Sequence, residues 1–465
     1  MRRAAKIALV LVLAVATGMA AARAANKLPA PEKLILKNGI TVYYLKKAGL
    51  PLVSFRMWIR GAGTANEPAV LDGAASLTAD LLMKGTAKMD ADAVAEAVEF
   101  MGARLDISAG DEYASVSGES LAERFPRVMD IAADCLMNPT FKEDEFAKER
   151  KTRLDNIMAV KDNPGAAIRS YFVKAYYGSH PLGHLANGTE TSLNKITLAV
   201  VKSFFQKTYR PERGIAAVVG SMEKAALLNL MNATIGEWKA AGAASPVAAL
   251  PALPKPAGKR LILVDKPDAT QAYWILGAFG YPLGNKITPQ ASVMNTLFGG
   301  RFTSWLSTEL RIKRGLTYGA GSNFQTWKAG GIFMANSYTK NDKIGEMLDI
   351  VFELLGKARK EGFAAEEIES ARNYMLGQFP PTLETNSSKA TAYVRLAFHN
   401  LGFDYYDKYL AGIQAVTGQL AKGAAAALLP ESNFVLVVVG KAADIKKQLE
   451  KYGTWIEKKI TDPDF

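Results

Sequence analysis

Two stretches of this 465-residue chain repeat one pattern at a nearly constant distance. TLAVVKSFFQKTYRPERGIAAVVG closes on Gly220 and VTGQLAKGAAAALLPESNFVLVVVG closes on Gly440, a spacing of 440 − 220 = 220 residues. Each reads as a helical segment, a proline, and a β-branched strand stopped by glycine. A second pair, FKEDEFAKERKTRLDNIM from Phe141 and FAAEEIESARNYMLGQF from Phe363, is offset by 363 − 141 = 222 residues. Two matches at almost one offset predict a duplicated domain, and a period this long excludes a solenoid of short repeats.

The dividing point is also visible. Residues 240–259, AAGAASPVAALPALPKPAGK, are rich in Ala and Pro and nearly uncharged, which is linker chemistry. This separates an N-terminal domain, 25–239, from a C-terminal domain, 260–465. Within the first half, ITVYYLKK, LVSFRMWIRGAG and LDISAGDEYASVSGES have strand character. AVAEAVEFMGARL and RFPRVMDIAADCLMN carry apolar residues at helical spacing. Strand pairs joined by short turns predict an α+β fold: two similar domains in tandem, each an antiparallel sheet with helices packed on one side.

Residues 1–24 pair a basic start (Arg2, Arg3, Lys6) with the apolar run IALVLVLAVATGM and small residues at Ala22 and Ala24. That is the pattern of a secretory signal peptide, too short to span a bilayer, and it predicts an exported, periplasmic protein. Its removal takes four basic residues with it, so the net charge falls from +12 to 12 − 4 = +8. An excess this mild and dispersed describes a solvated surface rather than a nucleic-acid site. No further run predicts an integral membrane segment. The single cysteine, Cys135, lies on an apolar helical face and reads as a small buried hydrophobe.

Residues 73–86, GAASLTADLLMKGT, suit a helix in which Ser76 and Asp80 lie one turn apart. An inverted zinc-peptidase helix, H-x-x-E-H, carries histidines at two such positions and its general-base Glu just before the second. Together with LKNGITVYYL, NPTFKEDEFAKER, VKDNP at 160–164, HPLGHLANGTETSLNKIT and the duplication, this frame resembles the insulysin, pitrilysin and mitochondrial processing peptidase family over nearly the whole mature chain. By that resemblance the first zinc histidine falls on Ser76, the catalytic Glu on Ala79, the second histidine on Asp80, and the third ligand on Asn156, beside Asp155. A neutral Ser and a neutral Asn are poor zinc ligands, and one Asp cannot hold the ion alone. Loss of the base would remove most activity. A degenerate metal site built from Asp80 and Asp155 is the remaining metal option.

The other histidines offer no substitute. His180 and His184 form HPLGH, where Pro181 and Gly183 make a turn and no Glu intervenes, and His399 in RLAFHNLG stands alone as a packing or surface residue. There is no Ser/His/Asp or Cys/His arrangement.

The second half holds LFGGRFTSWLSTELRIKRGLTYGAGSNF, residues 297–324, which resembles the family segment bearing an Arg and a Tyr seven residues apart, here Arg311 and Tyr318. Arg314 is a neighbouring rival for the role. In peptide-cleaving members this pair faces the zinc across a chamber and contacts the substrate backbone, where a guanidinium and a phenol can hold a carbonyl and steady the oxyanion. The Gly299-Gly300 turn is too short for the long glycine-rich loop of the processing peptidase α subunit. On the edge strand that accepts substrate in the family, Asp106 and Ile107 replace Asn-Ala.

The resemblance therefore implies a non-catalytic subunit without zinc of its own. A sibling chain with an intact H-x-x-E-H would supply zinc, base and water, while this chain supplies Arg311 and Tyr318 to a peptide substrate. The alternative is a non-hydrolytic scaffold or peptide-binding protein of the same fold, like the family-related core proteins of a respiratory complex.

Overall fold

Runs of β-branched and aromatic residues build two six-stranded sheets in the computed structural model, which describes residues 27–239, 242 and 246–465. The expected signal peptide lies outside the described residues. The first sheet contains β1 (Glu32–Ile35), β2 (Thr41–Lys46), β3 (Leu52–Arg60), β4 (Arg104–Ala109), β5 (Tyr113–Leu121) and β6 (Gly214–Gly220), in the order β1-β2-β6-β3-β5-β4. The second contains β7 (Lys259–Asp265), β8 (Gln271–Phe279), β9 (Ala320–Trp327), β10 (Gly330–Lys340), β11 (Phe434–Gly440) and β12 (Trp455–Lys459), in the order β12-β7-β11-β8-β10-β9. Five strands follow the same order in both sheets, so the sequence repeat is a repeat of topology. The sixth is an outer strand drawn from opposite ends of the two halves.

The fold is α+β with two similar domains in tandem, as expected, but the sheets are mixed rather than purely antiparallel. After a long helical excursion β6 inserts between β2 and β3, and β11 inserts between β7 and β8. A strand pushed between the two arms of a hairpin must run parallel to one arm and antiparallel to the other. It does so here: β6 is parallel to β2 and antiparallel to β3, and β11 is parallel to β7 and antiparallel to β8. Edge strand β12 adds a further parallel pairing to β7. The inserted strands are buried on both faces, which explains why FVLVVVG is continuously apolar instead of alternating.

Five helices organise the rest of the argument. In the first half these are α1 (Ala74–Leu82), α2 (Glu143–Asp162) and α3 (Pro164–Tyr177), and in the second α4 (Ala365–Gln378) and α5 (Asn386–Phe398). The VKDNP stretch becomes the start of α3: Asn163 accepts hydrogen bonds from the backbone of Gly165 and Ala166, and Pro164 occupies the first helical position. Helices cover both sides of each sheet, not one. α3 leaves its own half and packs on β8 and β11, while α5 packs on β3 and β6 of the first sheet. The two exchanged helices begin 386 − 164 = 222 residues apart, which is the repeat offset again.

The exchange is close-packed. A Cβ added at Gly277 on β8 would overlap the ring of Phe172 on α3. On the other side, Phe398 of α5 meets Trp58 edge-on, with ring centroids 5.3 Å apart, and the Arg60 guanidinium lies 3.9 Å from the Phe398 ring centroid. One core therefore runs from Phe55 and Val218 in the first half through Phe172 to Val437 and Ile262 in the second. Residues 246–258 form neither helix nor strand, yet they are fastened. Leu253 is buried and donates its N–H to Ala329 O at 3.1 Å. No helix among the described residues is long and apolar enough to cross a membrane.

If the exchanged helices join the halves as described, Phe172→Ala should cost about 3–5 kcal/mol. In urea denaturation both halves should lose stability together. Loss confined to the second half would contradict a shared core.

Candidate functional site

Helix α1 presents the frame in which the zinc residues were expected. It starts at Gly73, whose φ of +95° is a left-handed conformation that favours glycine. The Glu67 side chain caps it, accepting from the N–H groups of Ala75 at 2.7 Å and Gly73 at 3.1 Å. Burial pushes the Glu67 carboxyl well above its ordinary range, against these hydrogen bonds. Asp72 follows at the next turn. It takes Lys174 of α3 in an ion pair, the Leu185 N–H at 3.0 Å and His184 Nδ1 at 2.8 Å. Burial works to raise the Asp72 pKa, but the bonds from His184, Lys174 and Leu185 outweigh it and hold the carboxyl at about 2.

Glu67, Asp72 and His184 bring three ligand-type atoms within 4.8 Å of one another. They serve as a helix cap and a loop anchor: backbone N–H groups bond to Glu67, and the Lys174 ammonium supplies a cation at Asp72. His180 is also structural. Its Nδ1 accepts from Leu182 N at 3.1 Å, so the proton sits on Nε2 and is donated to Pro251 O at 3.0 Å, clamping the segment between the sheets. His399 packs beside Trp58 and Phe398, and burial, with Arg395, Lys328 and Arg60 nearby, pushes its pKa down to about 4. Cys135 is fully buried, and burial pushes its thiol up to about 12.

The four degenerate positions lie on α1 and α2. Ala79, at the place of the general base, is completely buried. Ser76 donates its hydroxyl to Ala186 O. Between Ser76 and Asp80 stands a residue the sequence reading passed over, Arg153 of α2. Its guanidinium forms an ion pair with Asp80, and one nitrogen reaches Ser76 Oγ and Ala186 O, both at 3.2 Å. Burial raises the Asp80 pKa, and the charge and hydrogen bond of Arg153 pull against it. The signal was available: Arg153 lies three residues before Asn156, on the same face of one helix.

These residues do not fit zinc. The space between the two histidine positions holds a guanidinium, a hydroxyl already donated, and a carboxylate already neutralised. The Asp80–Asp155 alternative fails as well, because Asp155 turns away to Lys151 at 2.6 Å. Asn156 is exposed and lines a cleft of about 270 Å³ with Ala186 and Asn187. Gln325 and Trp327, from β9 of the second half, form its other wall. Trp327 Nε1 donates to Asp111 Oδ2 at 2.9 Å across that gap. On edge strand β4 Asp106 is exposed, whereas Ile107 is buried in the core.

Arg311 and Tyr318 stand elsewhere. Tyr318 precedes β9, and the seven residues from it to Gln325 correspond to about 24 Å of extended chain. Tyr318 therefore lies toward the opposite end of β9 from Gln325 and Trp327, which line the chain's own cleft. Arg311 lies in a π-helical segment, Thr308–Lys313, a local geometry common at functional sites. Its guanidinium lies over Phe302, 4.6 Å from the ring centroid, and has no ion pair or hydrogen bond among the described residues. Arg314, the rival, lies 3.9 Å from Glu309. Tyr318 is 82% exposed.

Residues 41–190 match the family model described as insulinase (peptidase family M16), and residues 195–375 match that of the peptidase M16 inactive domain. An uncharacterized zinc protease of Bacillus subtilis (strain 168) is 24% identical over 358 residues, spanning 77% of this chain and 86% of that protein. One from Mycobacterium tuberculosis (strain ATCC 25618 / H37Rv) is 27% identical over 361 residues, 77% of this chain and 82% of its own. The crystal structure of a peptidase M16 inactive domain from Pseudomonas fluorescens superposes with a TM-score of 0.80 at 25% identity, covering 88% of this chain and 97% of that one. A protease from Helicobacter pylori shares the fold, with a TM-score of 0.82 at 21% identity, covering 89% and 99%.

Two outcomes are expected. Restoring ligands by Ser76→His, Asp80→His and Asn156→Glu should give stoichiometric zinc only when Arg153→Leu is added. Metal analysis showing equal zinc with Arg153 retained would contradict the role given to it. Separately, the depressed Asp72 pKa means a stabilising contribution that is complete above the ordinary carboxyl pKa of 3.8 and is lost as pH falls through about 2. The stability gap between wild type and Asp72→Asn should thus be flat from pH 7 to about 5 and close between about pH 4 and 2 in denaturant titrations.

Proposed function

The chain belongs to peptidase family M16, and on that footing we propose that it is the zinc-free subunit of an exported two-chain metallopeptidase. A sibling chain with an intact H-x-x-E-H helix holds the zinc and activates water. This chain closes the chamber and lends Arg311 and Tyr318 to the backbone of an unfolded peptide. The observation that carries the reading is the state of Arg311: a half-buried side chain whose guanidinium lies over an aromatic ring and makes no ion pair or hydrogen bond among the described residues. An arginine so placed can make paired hydrogen bonds to a carbonyl or a developing oxyanion. The place of Tyr318, toward the opposite end of β9 from Gln325 and Trp327, supports action on a neighbouring chain's zinc site rather than on the chain's own cleft. The guanidinium of Arg153 in the zinc position supports the division of labour.

A non-hydrolytic scaffold of the same fold would also tolerate the lost ligands, but it gives no reason for an Arg311 without an acid partner and an exposed Tyr318. In the assembled pair, Arg311→Ala and Tyr318→Phe should each lower kcat/KM on an unfolded peptide by about 10²-fold, the scale of a lost oxyanion donor. An unchanged rate for Arg311→Ala sinks the reading and leaves the scaffold.

A further inference from the structure

We propose that Phe302 is a positioning residue for Arg311: its ring aims the guanidinium at the peptide. The inference rests on the reading of Arg311 just given. Phe302 is 59% exposed, an unusual setting for a phenylalanine with no interior to fill. The Arg311 guanidinium lies over it, 4.6 Å from the ring centroid. A long arginine side chain free of any acid partner would sample many rotamers. Lying over a ring restricts it, while no ion pair or hydrogen bond among the described residues takes its N–H groups.

The surroundings fit this use. The nearest acid on the same helical segment, Glu309, is committed to Lys313 at 2.6 Å and lies 3.9 Å from Arg314, so it does not draw Arg311 down. The backbone bearing Phe302 is pinned on both sides to α4. Arg301 donates to Ser370 Oγ at 3.1 Å, and Trp305 Nε1 donates to Glu367 Oε1 at 2.7 Å. Ser304, between them, is completely buried. The ring is thus an exposed group on a fixed base, and the guanidinium is held by a contact that does not consume its donors. Preorganisation of this kind removes ordering cost at the moment of binding.

The test uses the assembled pair and a fluorogenic unfolded peptide that it cleaves. Phe302→Ala, Phe302→Leu and Phe302→Trp are compared in wild type and in the Arg311→Ala background, with assembly checked by size. Phe302→Ala and Phe302→Leu should lower kcat/KM roughly three- to tenfold, the range of an aromatic–cation contact. Phe302→Trp should restore it to within about twofold, and Phe302→Ala should add nothing once Arg311 is gone. A Leu variant as active as wild type would overturn the inference, because the aromatic face would be unnecessary. An equal loss in both backgrounds would overturn it too, since the ring would then act on the fold. If Arg311→Ala is costly and Phe302→Ala is silent, only this inference falls. If Arg311→Ala is itself silent, both it and the proposed function fall.

Discussion

Each sheet in this chain has two apolar faces, and its own helices cover only one. A face of β-branched residues left open to water would be an aggregation surface. The chain resolves this by exchange: α3 crosses to the second sheet and α5 returns to the first. Everything else hangs on that exchange. It makes the interior continuous between halves, fixes their relative placement, and turns the segment between the sheets into a packed strap held by Leu253 and His180.

The same packing explains how a zinc-helix frame outlasts its metal. Seven of the nine residues of α1 are buried, including Leu77, Ala79 and Leu81, so the helix is core whether or not it carries ligands. Its start is capped by Glu67, and the loop facing it is tied down by Asp72. What removal of the metal leaves behind is a charge problem. Asp80, part-exposed on a packed helix, is matched by a buried cation, Arg153, on the facing helix. The guanidinium also satisfies Ala186 O, leaving only its own Nε without a partner. A side-chain cation thus stands between the two positions onto which the resemblance maps the zinc histidines.

Much of this was legible in the sequence because it is periodic or repeated. The Gly220 and Gly440 stops end the two inserted strands, and the repeats from Phe141 and Phe363 open α2 and α4. By resemblance the zinc-site positions were expected at Ser76, Ala79, Asp80 and Asn156, and the structure adds what surrounds Ser76 and Asp80. What stayed hidden depends on contacts far apart in the chain. Splitting of each hairpin by a later strand cannot be seen in strand patterns, and it converted an expected antiparallel sheet into a mixed one. The exchange of α3 and α5 was equally invisible, because an apolar helix face does not name the sheet it will meet. Glu67, Asp72 and Lys174 come from a loop and a distant helix with no shared periodicity, and Arg153 looked like one basic residue among several in KERKTR.

The central claim is that the zinc chemistry resides in a second chain completed by this one. The most direct measurement is native mass spectrometry of the tagged protein captured from its own cell envelope, with zinc counted before and after the chains are separated. The account predicts a one-to-one complex with a sibling bearing an intact H-x-x-E-H helix. It should hold a single zinc that follows the sibling on separation, and it should cleave an unfolded peptide that neither chain cleaves alone. Recovery of this chain alone, or of a homodimer carrying its own zinc, would contradict it.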